Sequence, residues 1–307
     1  MEELDQAELK ARFQRAIDAF VAKVKDDVNV IAVVVNGSYT YDVLWEKSDI
    51  DMMVVVRDQR MAAESLSLVE DGITINLGLV TRSSFKRAIE GAIGGSFFQA
   101  FIAKGEIVYS TEESLYEYME DVRQIGEDDK AMTALRLAGY LISTLHKVEK
   151  WLRARKDLLY AQYFLLKAAE SIADMELCIR GIPTSRSAIQ KAMEFNPEVM
   201  RRFYLEPMTH LLSEEELEEG VLRLDRYIES HIPLFQRPIL AYLSDQEIKT
   251  TAMIAKQIHT EGPMIIDVLN YLAEKQVIER VSQTIKITPK SRMSIEEIGF
   301  LYIPVSA

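Results

Sequence analysis

Cysteine is nearly missing from this 307-residue chain, with Cys178 standing alone. A single thiol closes no intrachain disulfide, and no Cys/His set has the spacing of a structural zinc site, so a reducing compartment fits. Long apolar runs are missing too: none approaches the roughly 18–20 residues that span a bilayer. The opening MEELDQAELKARF is charged and helix-forming, not a basic start followed by an apolar core, so a secretory signal is not visible. These readings predict a cytoplasmic protein with no membrane partner. Positive charge is in deficit, with 36 Lys and Arg against 48 Asp and Glu and a net charge of −12. Phosphate neutralisation supplies most non-specific affinity for nucleic acid, so this balance disfavours such a binder while leaving room for local basic patches. Internal repeats and low-complexity segments are also lacking. Apolar residues make up 48% of the chain, which argues against wholesale disorder, and the length suits two or three domains.

Three stretches differ in character. The first alternates strand and helix signals. Helical spacing over residues 6–25 is followed by the β-branched run Val30 to Val35, closed by Asn36-Gly37. A second such run covers Ile50 to Val56, and a third covers Ile73 to Val80 behind the turn pair Asp71-Gly72. A helix is expected from about Ser83 and a short edge strand over Gly105 to Tyr109. From Glu127 to Ser230 only amphipathic helix signals remain, broken at Arg180-Gly181-Ile182-Pro183, at Asn196-Pro197 and before Glu214-Glu215-Glu216. Most aromatics there, including Tyr160 and Tyr163, are expected in the core. The last stretch reads as three short helices, Pro238–Leu243, Thr250–Ile258 and Pro263–Lys275. Two strands follow, Val277–Val281 and Thr284–Thr288, joined by a turn at Ser282-Gln283. The fold class is therefore α+β: a small α/β domain over residues 1–120, an all-α helical bundle over 121–235 and a winged helix-turn-helix over 236–307.

The chemistry concentrates in two short motifs. Asn36-Gly37-Ser38 closes the first strand, and Ser48-Asp49-Ile50-Asp51 opens the second. Residues two apart on a strand point the same way, so Asp49 and Asp51 present both carboxylates on one face. Like charges held so close repel, and a divalent cation between them relieves the repulsion. Hard oxygen ligands of this kind suit Mg²⁺ with bound phosphates. The Gly37-Ser38 turn offers a missing Cβ and free backbone N–H groups where a phosphate can approach.

The ordered set of apolar strand, Gly-Ser, spacer, Ser-Asp-Ile-Asp and second apolar strand resembles the DNA polymerase beta-like nucleotidyltransferase superfamily. Antibiotic nucleotidyltransferases such as the kanamycin enzyme belong to it, and the resemblance is specific over about residues 28–85. It implies Asp49 and Asp51 as catalytic ligands of Mg²⁺ or Mn²⁺, and Gly37, Ser38 and Ser48 as binders of a nucleoside triphosphate. The expected activity is transfer of a nucleoside monophosphate to a hydroxyl of a small-molecule or protein acceptor. The alternative is an inactive nucleotide sensor coupled to the winged helix, or a scaffold that keeps the fold alone. The third acid of that superfamily is missing: Gly78 aligns with its place and Asn76 shares the face. Neither is a general base or an anionic ligand. Glu70 and Asp71 precede that strand as substitutes, and Glu170 is a candidate base from the helical stretch.

The terminal module resembles bacterial winged-helix regulators at the level of fold. Its last helix begins Gly262-Pro263-Met264-Ile265-Ile266-Asp267, apolar and then acidic, where a DNA reader carries polar and basic side chains. DNA is thus a partner that the fold admits and the charge disfavours, and protein contact or a homo-oligomer is the favoured use. The whole order of modules resembles a family of nucleotidyltransferase-like proteins from Gram-positive bacteria.

Overall fold

Every apolar run expected in the first third becomes a strand, fully or nearly fully buried in the first two and half-buried in the third. The computed structural model describes residues 6–40, 44–61, 63–92, 105–123, 127–184, 187–260, 262–290 and 292–304. The chain divides into two units, Met1–Ile125 and Gly126–Ala307. In the first unit, α1 (Gln6–Val24) leads into β1 (Val30–Asn36), followed by β2 (Ile50–Val56), β3 (Ser65–Glu70), β4 (Ile73–Thr81), α2 (Arg82–Ala92), β5 (Glu106–Ser110) and α3 (Ser114–Arg123). The five strands form one mixed sheet in the order β3-β4-β2-β1-β5, in which β2 and β4 run parallel and the other neighbours antiparallel.

The two faces of this sheet bury separate cores, as alternation along a strand requires. Phe13, Ile17 and Phe20 of α1 pack with Val33, Val35, Ile50, Met52, Val54, Ile75 and Leu77 on one face. On the other, Phe85 of α2 and Leu115 and Met119 of α3 pack with Ala32, Val34, Met53 and Val55. Asp51 belongs to the second face, two residues before Met53.

β3 had no counterpart in the sequence reading. It is an edge strand whose residues are exposed or half-buried, so the continuous apolar run that marks β1 and β2 is missing. Its signal is the turn: Asp71 and Gly72 both have positive φ, 48° and 72°, the two-residue hairpin geometry that requires a strand on either side.

The second unit begins with α4 (Glu127–Glu149), a π-helical turn at Lys150–Ala154 and α5 (Leu158–Ile179), followed by α6 (Ala188–Phe195), two short helical turns and α7 (Glu214–Ser230). The expected breaks are all used. Asn196 caps the turn begun by Pro197, and Ser213 with Glu216 forms a capping box ahead of α7. Buried Gln162 fastens the crossover before α7: its amide donates to the carbonyls of Pro207 (2.7 Å) and His210 (2.9 Å), and its oxygen accepts from Leu212 N–H (2.9 Å). Buried Glu176 is likewise satisfied, by Arg180 at 2.8 Å and by the Tyr227 hydroxyl at 2.9 Å.

After a short helix at Ile232–Phe235 come α8 (Arg237–Leu243), β6 (Lys249–Thr250), α9 (Thr251–Gln257), α10 (Gly262–Glu274), β7 (Glu279–Ile285) and β8 (Ile295–Leu301). The strands pair antiparallel in the order β6-β8-β7. One expectation is overturned here. The two strands placed at Val277–Val281 and Thr284–Thr288 fall largely in a single strand, β7, which runs straight through Ser282-Gln283, and its partner is Ile295–Leu301. Ser282-Gln283 supplies no glycine, asparagine or proline to reverse the chain, so the period-two pattern continues through it. The connection instead spans residues 286–294 and carries Lys286, Lys290 and Arg292.

A single apolar core runs from Ala134 on α4 to Phe300 on β8, and includes Leu165, Leu224, Phe235, Leu243, Ile265 and Leu269. Residues of the segments expected as separate domains, 121–235 and 236–307, therefore share one core. No described helix is long and apolar enough to cross a membrane.

Candidate functional site

The site is built where β1 and β2 meet. In the antiparallel register Asn36 lies opposite Asp51, and in the parallel register Asp51 lies opposite Asn76. Paired residues on neighbouring strands share a face, so a polar row of Asn36, Asp51 and Asn76 crosses three strands at the end of the sheet. Asp49 precedes β2 and accepts a hydrogen bond from the Asn76 side-chain amide. Ser67 of β3 extends the row by donating to Asn76 Oδ1 at 3.4 Å.

Gly37 closes this arrangement from the β1 side. Its φ of +72° is left-handed, and a Cβ built there would overlap the Asp51 carboxylate and lie 3.1 Å from its Cγ. Glycine is required on both counts: the backbone conformation and the approach of the carboxylate. Ser38 follows in the 3₁₀ turn Gly37–Thr40, its side chain outside the described part of the structure. Ser48 ends a turn in which its N–H donates to Trp45 carbonyl at 2.9 Å, delivering the chain into Asp49. The structure thus brings Gly37, Asp49 and Asp51 together and places Ser48 next in the chain.

Asn36 gave no signal in the sequence beyond preceding Gly37. Its side chain is fully buried, and neither its Nδ2 nor its Oδ1 has a hydrogen-bond partner. Native proteins pair nearly all such groups, so an orphaned amide beside Asp51 marks a place where stability yields to another demand.

The register shows what β4 places beside Asp51. Asn76, not Gly78, stands opposite Asp51, while Gly78 pairs with Met53 one step further along the face. The substitutes do not reach it. Glu70 pairs with Lys23, and the Asp71 carboxylate lies 3.7 Å from Arg15, so both face α1. Tyr39 donates its hydroxyl to Gln14 on α1. Burial, then the carboxylates of Glu106 and Asp18, push its pKa upward. Among the described residues no three His, Cys, Asp or Glu side chains cluster to hold a metal. Two carboxylates and a neutral amide are what the sheet offers.

In the second unit, Glu170 is exposed on α5. Tyr160 and Tyr163 are also at the surface, against the expectation that they are core. The core face of that helix is filled instead by Ala161, Leu165, Ala168, Ala169 and Ile172.

Comparison with protein-family models and with curated proteins gives no match. Among solved structures the chain is similar to a nucleotidyltransferase-like protein from Exiguobacterium sibiricum, at a TM-score of 0.67 and 12% identity, over 95% of this chain and 100% of that one. The fold is nucleotidyltransferase-like.

Proposed function

We propose that the first unit binds a complex of a divalent cation with a nucleoside triphosphate, held by Asp49 and Asp51 on the cation and by Gly37, Ser38 and Ser48 on the phosphates. The observation that carries this reading is the Gly37–Asp51 approach, which brings the Asp51 carboxylate against the backbone of the Gly37–Ser38 turn where any other residue would place a side chain. The donor set fits the cation: two hard carboxylates on one strand face suit Mg²⁺ or Mn²⁺ and repel each other without one. When bound, the cation would supply charge neutralisation of the phosphates and of the leaving pyrophosphate.

Transfer would form a bond from an acceptor hydroxyl oxygen to the α-phosphorus and break the bond to the β-phosphate oxygen, with pyrophosphate departing. The hydroxyl proton needs an acceptor. Asn76 cannot take it, because its amide is a donor toward Asp49 and has no basic site at neutral pH. The side chains of this sheet therefore serve binding better than turnover, and the residual reaction depends on solvent or on the acceptor itself for proton removal. This favours a nucleotide-responsive protein whose transferase activity is slow.

The C-terminal elements have the order of a winged helix: α8, β6, α9, α10, then the β7–β8 ribbon. We assign the last helix of this module to packing against α4, not to a DNA groove. Met264, at the start of α10, lies against Gly139 of α4, where an added Cβ would sit 2.7 Å from Met264 Cγ, and Ile265 is buried. A helix packed this closely cannot offer its first turn to base edges.

The test is pyrophosphate release from each of the four nucleoside triphosphates with Mg²⁺, over a panel of hydroxyl acceptors. Slow release abolished in the Asp49→Asn/Asp51→Asn variant supports the reading. Release that survives in that variant contradicts it.

A further inference from the structure

The turn joining α4 to α5 departs from the composition of the rest of the chain. From Lys147 through Lys167 stand six lysines and arginines against two carboxylates, in a chain of net charge −12. The same turn carries a chain of rings. Trp151 meets Tyr160 edge-on at 4.4 Å between centroids, and Tyr160 stacks on Tyr163 at 5.5 Å with planes 25° apart. Phe164 lies edge-on to both at 5.1 and 5.3 Å. Tyr160 and Tyr163 are 42% and 48% exposed, so each turns part of its surface to solvent.

Cations frame the rings. Lys147 Nζ lies 5.6 Å from the Phe164 ring centre and the Arg155 guanidinium 5.9 Å from that of Trp151. Arg153 and Lys156 are neutralised, by Glu149 and Glu218 and by Glu214. Among the described residues no carboxylate pairs with Lys147, Lys150 or Arg155, all three exposed. Trp151 itself sits in the π-helical turn Lys150–Ala154, and such interruptions of α-helix recur at functional sites.

We propose that this patch binds single-stranded nucleic acid, with unpaired bases stacking on the exposed faces of Tyr160 and Tyr163 and phosphates meeting Lys147, Lys150 and Arg155. Stacking platforms flanked by unpaired cations are how proteins hold single strands without reading their sequence. Duplex bases are already stacked and cannot use the rings. Unpaired cations around an aromatic surface in an acidic protein select a polyanion over a neutral or acidic protein partner. The net charge confines such binding to this one locality.

The test uses the full chain with Trp45→Phe, which leaves Trp151 as the sole tryptophan. A uridine or thymidine dodecamer is titrated while Trp151 fluorescence and oligomer anisotropy are followed. Saturable quenching that weakens with salt is expected. Affinity should fall roughly tenfold or more in Tyr160→Ala/Tyr163→Ala and in Lys147→Glu/Lys150→Glu, with retention in Tyr163→Phe. Asp49→Asn/Asp51→Asn should leave it unchanged, separating this surface from the triphosphate site. Lack of saturable binding, preference for a duplex of equal length, or affinity unaffected by both patch variants would overturn the proposal.

Discussion

The Asn76 side chain donates its amide proton to the Asp49 carboxylate, filling with a neutral group the position opposite Asp51 in the neighbouring strand. Asn76→Asp restores a third acid there with almost no change in shape. Without metal the variant should melt lower than wild type, because three carboxylates then converge. Added Mg²⁺ or Mn²⁺ should raise its melting temperature more than that of wild type, and pyrophosphate release should increase. Equal metal responses in the two proteins would show that the row does not coordinate a cation.

Gly37→Ala combines a left-handed backbone with an overlap on the Asp51 carboxylate. Unfavourable φ at a non-glycine residue costs about 1–3 kcal/mol. A loss in this range is expected from urea unfolding, together with loss of triphosphate binding.

The orphaned amide of Asn36 makes the opposite prediction for stability. Leaving a buried polar group unpaired costs roughly 1–3 kcal/mol, so Asn36→Leu, which keeps the number and branching of side-chain heavy atoms, should keep or raise the urea midpoint. If Asn36 serves the site, the same variant should bind triphosphate more weakly. A sharp loss of stability would mean that the amide has a structural partner after all.

Thermal unfolding should resolve two transitions, one for each unit. Leu269 of α10 is fully buried in the core that runs from α4 to β8, and Leu269→Ala should cost roughly 2–5 kcal/mol. The helical signal of residues 127–230 should melt together with the C-terminal module in this variant. Calorimetry showing the module melting alone would contradict the shared core.

Burial raises the pKa of Asp174, Thr184 opposes this by donating to the carboxylate, and Glu170 adds to the rise. The folded carboxyl binds its proton more tightly than the unfolded one. Its stabilising contribution is therefore complete below the unfolded value of about 3.9 and is lost as pH rises through the folded value. The stability of wild type relative to Asp174→Asn should accordingly fall as pH rises above the unfolded value, measured by urea unfolding at each pH. A constant difference would show that the two states hold this proton equally.

Much of the first unit was legible because its central strands β1 and β2 are buried on both faces. Ile50–Val56 is apolar apart from Asp51, and it forms β2 with those bounds. Exposed β3 carried no such signal, and only the Asp71-Gly72 turn betrays it. The pairing of Asp49 with Asp51 followed from strand periodicity. Which residue faces them from β4 did not, since a register is set between strands: Asn76 and Gly78 share a face, and only the pairing chooses between them. The hairpin after α10 failed for a related reason. Ser282 and Gln283 are polar because they sit on an edge strand, not because the chain turns there. The surface position of Tyr160 and Tyr163 was hidden because periodicity places them beside core residues without saying which side the neighbouring helices cover.

The measurement that reaches the central claim most directly is calorimetric titration of the four nucleoside triphosphates, with and without Mg²⁺, into wild type and into Asp49→Asn/Asp51→Asn. Saturable binding by wild type that requires Mg²⁺ and disappears in the variant is the predicted result. Binding of equal strength in both proteins, or heat from none of the four nucleotides with wild type folded, would contradict a metal–triphosphate site at Asp49 and Asp51.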